Sequence, residues 1–299
     1  YMNNGYLFFQ LDPIEVNVEN DSIDLELRMY EGQQARINKV IIQGNDRLYE
    51  HVVRRELRTK PGELFNKSDL MRSAREIAQM GHFDPETMDI RPEPDPENGT
   101  VDLVYALQSK ANDQIEFSAG WGQTGIIGKL SLKFTNFSVK NFLKPKSYKG
   151  IIPQGEGQTL TISAQTNARY YQSYSLSFMD PWFGGKRPNS FSFSVYYSRQ
   201  TDISTSYWNN NYIDPYGYGY NGYYGYNDYY GNNYDYSYAL DPSKSLQMFG
   251  VAVGFGKRLN WPDDYFTLSA ELGYQLYKLK DWEYLYFMQN GTSHSITLN

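Results

Sequence analysis

The side chains best suited to covalent or acid–base chemistry are few and dispersed. Cysteine is absent, which removes thiolate nucleophiles, disulfides and thiolate metal sites together. The histidines His51, His82 and His294 are scattered, and no Ser/His/Asp set or metal-ligand spacing accompanies them. Asp95 and Asp263-Asp264 fall in turn-like segments. Gly254-Phe255-Gly256 lies inside an alternating run rather than ahead of a helix, so it does not read as a phosphate loop. These residues predict a protein that is not an enzyme and uses no cofactor and no metal. A net charge of −6 leaves no basic field that would bind nucleic acid by counterion release.

The chemistry that remains belongs to the backbone. An edge strand carries unpaired N–H and C=O groups that can template another strand, and in hydrocarbon each unpaired group costs several kcal/mol. The candidate edge is Gln114-Ile115-Glu116-Phe117-Ser118-Ala119-Gly120-Trp121-Gly122. Its end, Gly120 to Gly125, is rich in glycine, which weakens packing and pairing and suits a seam that opens; a glycine-rich turn with no gating role fits the same residues.

Three regions position these groups. In residues 1–34, Ile14-Glu15-Val16-Asn17-Val18 and Ile23-Asp24-Leu25-Glu26-Leu27 alternate around the turn Glu19-Asn20-Asp21-Ser22, which predicts a hairpin. The opening Tyr1-Met2-Asn3 carries no basic-then-apolar leader, so an export signal and the rest of this first domain are expected upstream. Residues 35–110 predict strand, helix, helix, strand, strand. The first strand spans 37–42 and the first helix 49–58, with Val52, Val53 and Leu57 on one face. A second helix is expected to be capped at Ser68-Asp69, with Leu70, Met71, Ala74, Ile77 and Ala78 at helical spacing and Gly81 closing it. Strands at 87–91 and 101–107 flank a Pro/Asp-rich turn at 92–99.

From residue 113 onward the period is 2. Ile115, Phe117, Ala119 and Trp121 alternate with polar or small residues, as do Leu130-Leu132-Phe134, Leu160-Ile162-Ala164, Tyr174-Leu176-Phe178, Phe191-Phe193-Val195, Phe249-Val251-Val253 and Phe266-Leu268-Ala270-Leu272. Ile296 and Leu298 open an eighth segment. Segments of about 10 residues with one apolar and one polar face, ending in aromatics, match the wall of a transmembrane β-barrel; a soluble sandwich or barrel alternates too. Short turns at 181–188 and 260–264 against a long connection at 201–245 favour the membrane barrel. The link 136–157 carries Lys140, Lys144, Lys146 and Lys149 among Phe137, Phe142 and Tyr148; it reads as a solvated loop, with contact to headgroups or a partner as the alternative. Residues 207–238 contain 13 Tyr, 7 Asn and 5 Gly without Lys or Arg. That composition favours an adaptable extracellular contact surface over plain low complexity, with Tyr216, Tyr220, Tyr224 and Tyr230 as candidate contacts for extracellular-side subunits.

Ile37-Asn38-Lys39-Val40-Ile41-Ile42-Gln43-Gly44-Asn45, with Val53-Arg54-Arg55-Glu56-Leu57-Arg58, Pro61-Gly62 and Met80-Gly81-His82-Phe83, resembles the POTRA repeat adjoining the barrel in the BamA family. Met179-Asp180-Pro181-Trp182-Phe183 is similar to that family's strand-end Pro-aromatic motif, and Gly155-Glu156-Gly157 resembles its first periplasmic turn. The resemblance implies an α+β POTRA domain at 35–110, preceded at 1–34 by the C-terminal end of another. Residues 111–299 would then form the N-terminal half of an antiparallel transmembrane β-barrel, about the first eight of roughly 16 strands. It further implies a bacterial outer-membrane protein with a periplasmic POTRA domain that inserts and folds β-barrel proteins by edge-strand templating at a lateral seam. Outer-membrane lipids, unfolded β-barrel clients and periplasmic accessory lipoproteins would be its partners. Thr87, Met88, Asp89, Ile90 and Arg91 would be the POTRA edge for β-augmentation, and Arg54, Arg55 and Glu56 the accessory-subunit contact, where the residues by themselves favour a plain solvated charge pair. The alternatives are a secretion porin of the same superfamily, passing a client through the lumen, and a plain structural or adhesive barrel.

Overall fold

The structure, a computed structural model, describes residues 1–19, 21–122, 125–148, 152–167, 171–203, 240–261, 264–281 and 290–299. They divide into two units: residues 1–113 with 134–158, and residues 114–133 with 159–299. Each unit follows a different hydrophobic period.

In the first unit, β1 (Gln10–Glu19) and β2 (Ser22–Tyr30) form the hairpin expected from their alternation, with a register shift between Glu15 and Asn17. A three-stranded sheet follows, in the order β3-β5-β4. Central β5 (Thr100–Ala106) is parallel to β3 (Arg36–Gln43) and antiparallel to β4 (Asp89–Asp95). Helices α1 (Glu50–Arg54) and α2 (Lys67–Gln79) bury Val52, Val53, Leu70 and Ile77 in one cluster with Ile37, Val101, Leu103 and Tyr105. Burial of such a side chain contributes about 1.5–3 kcal/mol. Tyr105 brings a hydroxyl into this core, where it shares a 2.8 Å hydrogen bond with Thr59 Oγ1.

Three elements differ from the sequence expectation. Helix α1 is shorter than 49–58, because the N–H groups of Glu56 and Leu57 reach back only three residues, to Val53 and Arg54, and the helical turn tightens out. The cap of α2 is Asn66, whose side chain accepts from Ser68 N and Asp69 N. Strand β4 runs through Pro92 and Pro94, read as a turn, since proline is tolerated on an edge strand wherever its nitrogen faces away from the ladder.

The second unit is an eight-stranded sheet of antiparallel neighbours in sequence order. Its strands are β6 (Gln114–Gly122), β7 (Gly125–Phe137), β8 (Gln158–Thr166), β9 (Tyr171–Asp180), β10 (Asn189–Ile203), β11 (Leu240–Arg258), β12 (Thr267–Lys280) and β13 (Gly291–Leu298). Between β7 and β8 lies the short helix α3 (Val139–Phe142). Register places like residues in rows. One face carries Ile162-Leu176-Val195-Val251-Tyr274-Ile296 and Leu160-Phe178-Phe193-Val253-Leu272-Leu298. The other carries Thr161-Ser177-Ser194-Ala252-Gly273-Thr297 and Ser163-Ser175-Tyr196-Gly250-Gln275-Ser295.

The apolar face is uncovered among the described residues. Leu272 is 55% exposed and Leu298 77%, whereas the buried apolar cluster lies within residues 35–107. A sandwich or soluble barrel would bury these rows against protein. A wall with lipid on one side and water on the other leaves them bare. Gly250 on the polar face admits the ring of its cross-strand neighbour Tyr196, which lies 2.1 Å from where a β-carbon on residue 250 would stand.

Candidate functional site

Strand β6 stands at one margin of the sheet and β13 at the other. Among the described residues β6 pairs on one side only, with β7, from Gln114↔Lys133 to Gly122↔Gly125. In an antiparallel ladder every second residue turns its N–H and C=O away from the partner, so on its outer side β6 carries a row of donors and acceptors that no other described strand pairs. Ile115, Phe117 and Trp121 are 74%, 77% and 85% exposed and share a face with Ala119, while Gln114, Glu116, Ser118 and Gly120 take the other. All nine residues expected at the edge lie on this one strand.

Arg54, Arg55 and Glu56, expected to contact an accessory subunit, sit at the end of α1. Arg54 pairs with Glu50 and donates to the Val40 carbonyl at 3.2 Å. Arg55 Nη2 donates to the Glu156 carbonyl at 3.3 Å. The segment after β7, expected as a solvated loop, is therefore folded onto the helical face of the first unit. Buried Asn136 organises it. Its side chain donates to the Arg47 carbonyl at 2.9 Å and accepts from the N–H groups of Gly155 and Gly157, both at 3.1 Å. Asn141 Nδ2 donates to the Tyr49 hydroxyl at 2.6 Å. The Glu156 carboxylate, 8% exposed, meets Lys140 Nζ at 3.2 Å and stands 3.3 Å from His51 Nε2. Sequence reasoning missed Asn136, Tyr49 and Glu156 as a set. The only signal was Gly155-Glu156-Gly157, two conformationally free residues around a carboxylate.

The strand expected at 87–91 lies at 89–95, at the edge of its sheet; Thr87 and Met88 precede it. Paired with Leu103 and Val101, Pro92 and Pro94 lack N–H groups and fit only with their nitrogens turned outward. The free edge of β4 thus offers acceptors at 90, 92 and 94 but, of these, a donor only at Ile90. Such an edge is poor for strand addition beyond Arg91.

Near the link between the units' sequences, Arg47 Nη2 meets Asp113 Oδ2 at 3.1 Å, and Asp113 Oδ1 accepts from Thr135 N at 3.0 Å. His82 lies close by. Burial pushes its imidazole below the ordinary value, and Arg47 adds to this while Asp113 opposes it. Tyr216, Tyr220, Tyr224 and Tyr230 lie outside the described residues. Among the described residues, no group of three or more His, Asp and Glu is gathered that could hold a metal ion.

Comparison with known proteins follows this division. Residues 35–110 match the POTRA family, described as "Surface antigen variable number repeat". Residues 154–297 match the Omp85 superfamily domain. The chain is 29% identical over 185 residues to outer membrane protein assembly factor BamA of Neisseria meningitidis, covering 60% of this chain and 20% of that protein. It is 24% identical over 214 residues to BamA of Nitratidesulfovibrio vulgaris, covering 71% and 23%. The chain thus spans about a fifth of the length of the curated relatives it matches. In fold it is similar to the crystal structure of Haemophilus ducreyi BamA lacking POTRA domains 1–3, with a TM-score of 0.60, 17% identity, and coverage of 100% of this chain and 49% of that one. With an α+β domain preceding an antiparallel sheet whose apolar face is bare, the chain carries a POTRA domain followed by an Omp85 superfamily domain and is similar to BamA proteins of the bacterial outer membrane, with its POTRA domain in the periplasm.

Proposed function

We propose that the chain acts in the insertion and folding of β-barrel proteins into the outer membrane, with β6 as the strand on which an incoming client strand pairs. The observation that carries this reading is the position of β6 at the margin of a sheet with one bare apolar face. Within a bilayer an unpaired edge has no water to turn to, so the drive to recruit a strand exceeds that of an edge in solution. Gly120 and Gly122 leave the distal end of β6 without side-chain packing against a neighbour, which favours exchange of partners there.

The POTRA domain receives clients and accessory lipoproteins from the periplasm in this reading. The accessory contact falls on the end of α1 at Arg54, Arg55 and Glu56, where Arg54 is held by Glu50 and the Val40 carbonyl and Arg55 by the Glu156 carbonyl, and any strand addition at β4 is confined to the end around Asp89 to Arg91. The Tyr-rich segment around Tyr216 to Tyr230 serves as the outward contact.

The test is assisted folding. The full-length protein is reconstituted in liposomes and an unrelated unfolded barrel protein is added, its folding followed by heat-modifiable mobility. Ser118→Cys should crosslink to a cysteine in the client's terminal strand and arrest folding until reduced. Client passage through the lumen without assisted folding would instead establish a secretion porin.

A further inference from the structure

Near its distal rim the apolar face of the sheet carries Arg199 and Lys278 at one level, with Lys280 on the next row outward and His294 on the next row inward. Thr166, Gln172, Arg199, Gln247, Lys278 and Thr292 form a single cross-strand row. The row beside it holds Tyr174, Tyr197 and Phe249, and the face then stays apolar along β11 until Lys257, ten residues from Gln247 (257 − 247). At about 3.4 Å per residue and a tilt of about 40°, that span is about 26 Å, close to the height of the apolar band of a membrane barrel. Aromatic then polar is the order of a bilayer boundary. The chain runs from the POTRA domain into the start of β6, and neighbouring strands alternate in direction, so the ends of β10 and β12 lie on the opposite rim. With the POTRA domain in the periplasm, that rim is at the outer leaflet.

Arg199 Nε is buried and has no hydrogen-bond partner among the described residues. Its cross-strand neighbours Gln172 and Gln247 are neutral amides. The next row outward, Thr201-Ser245-Lys280, adds a further cation. Among the described residues neither row contains a carboxylate; the nearest are Asp202 and Asp241, paired beyond the register shift after Thr201, and Asp281, next to Lys280. Three positive charges at a lipid boundary, flanked by amide donors, call for an anion, and a guanidinium presents a planar fork that matches phosphate oxygens. The aromatic row would lie along the acyl chains of a lipid whose headgroup sat at this level, a contact that a free anion lacks.

We propose that this row seats the phosphate headgroup of an anionic outer-leaflet glycolipid, with Arg199 as its principal ligand, Gln172 and Gln247 as amide donors, and Lys278 and Lys280 balancing the second charge. The probe is bis-phosphorylated lipid A. The full-length protein is placed in phosphatidylcholine nanodiscs doped with lipid A, and retained lipid is counted by native mass spectrometry. Wild type should retain lipid A in preference to its dephosphorylated form, and millimolar inorganic phosphate should not displace it. Arg199→Gln should weaken retention roughly fivefold and Arg199→Gln with Lys278→Gln roughly thirtyfold, while Arg199→Lys keeps most of it. Heat-modifiable mobility selects folded variants, and Arg199→Lys supplies the comparison if the glutamine variants fold poorly. Equal retention of the phosphorylated and dephosphorylated forms, displacement by inorganic phosphate, unchanged retention in the folded double variant, or loss in Arg199→Lys equal to that of Arg199→Gln would overturn the proposal.

Discussion

Tyr49 and Gly155 meet twice. The Tyr49 N–H donates to the Gly155 carbonyl at 2.9 Å, and an atom of the Tyr49 ring lies 2.6 Å from where a β-carbon on residue 155 would stand. Gly155 also has φ +127°, a conformation open to glycine. A contact between residues over a hundred positions apart thus depends on the absence of one methyl group, and it ties the segment after β7 to the helical face of the POTRA domain.

Gly155→Ala should loosen that tie. The new methyl meets the ring and the backbone is forced into a strained region, so a loss of about 1–3 kcal/mol is expected. Limited proteolysis of the full-length protein should show earlier cleavage within 138–154 than in wild type. Equal cleavage rates would show that the segment is held by other contacts.

His82 should make the periplasmic domain sensitive to acid. Its folded pKa lies below the unfolded value near 6.5 because burial disfavours the imidazolium. Below about pH 6.5 the unfolded chain therefore binds more protons than the folded one, so stability is complete above that pH and falls as pH drops through the window down to the folded pKa. Thermal melts of wild type between pH 7.5 and 5.5 should show a declining midpoint, and His82→Gln should flatten the part of the decline that this residue causes.

The prolines of β4 should act as guards. Pro92→Ala with Pro94→Ala restores outward N–H donors without altering the apolar core, so binding of an extended peptide to this edge should rise several-fold. Backbone amide shifts of β4 on peptide titration report it. If wild type and variant bind alike, the outward placement of the two nitrogens does not limit the edge.

Gly250→Val should obstruct the Tyr196 ring and cost about 1–3 kcal/mol by overpacking. Urea refolding in detergent, read by heat-modifiable mobility, should show a lower midpoint. Adding Tyr196→Ser should recover part of the loss, because the two positions face each other across β10 and β11. Additive effects of the two changes would refute the coupling.

Much of the architecture was legible from local pattern. Alternation such as Phe191-Phe193-Val195 against Ser190-Ser192-Ser194 dictates which residues share a face, and the helical spacing of Leu70 and Ile77 places one side of α2 in the core, although Met71, read with them, is exposed and Ser73 is buried instead. The place of β6 as the first strand of the described sheet was legible for a related reason: it opens a run of alternating segments, and consecutive antiparallel strands pair as neighbours. The prolines of β4 misled because a residue that breaks central strands also marks edge strands, and the difference lies in which way the nitrogen points.

The amino-acid sequence by itself determined the two hydrophobic periods and the α+β and alternating-strand regions they build, since these follow from residue type and short-range spacing. Only the tertiary structure decided that Asn136, Glu156 and Tyr49 form one assembly, and that Gln172, Arg199, Gln247 and Lys278 stand at one level of the sheet. Both depend on chain segments distant in sequence meeting in a particular register. A register is a sum of many weak pairings across strands and loops, and no single stretch of sequence carries it.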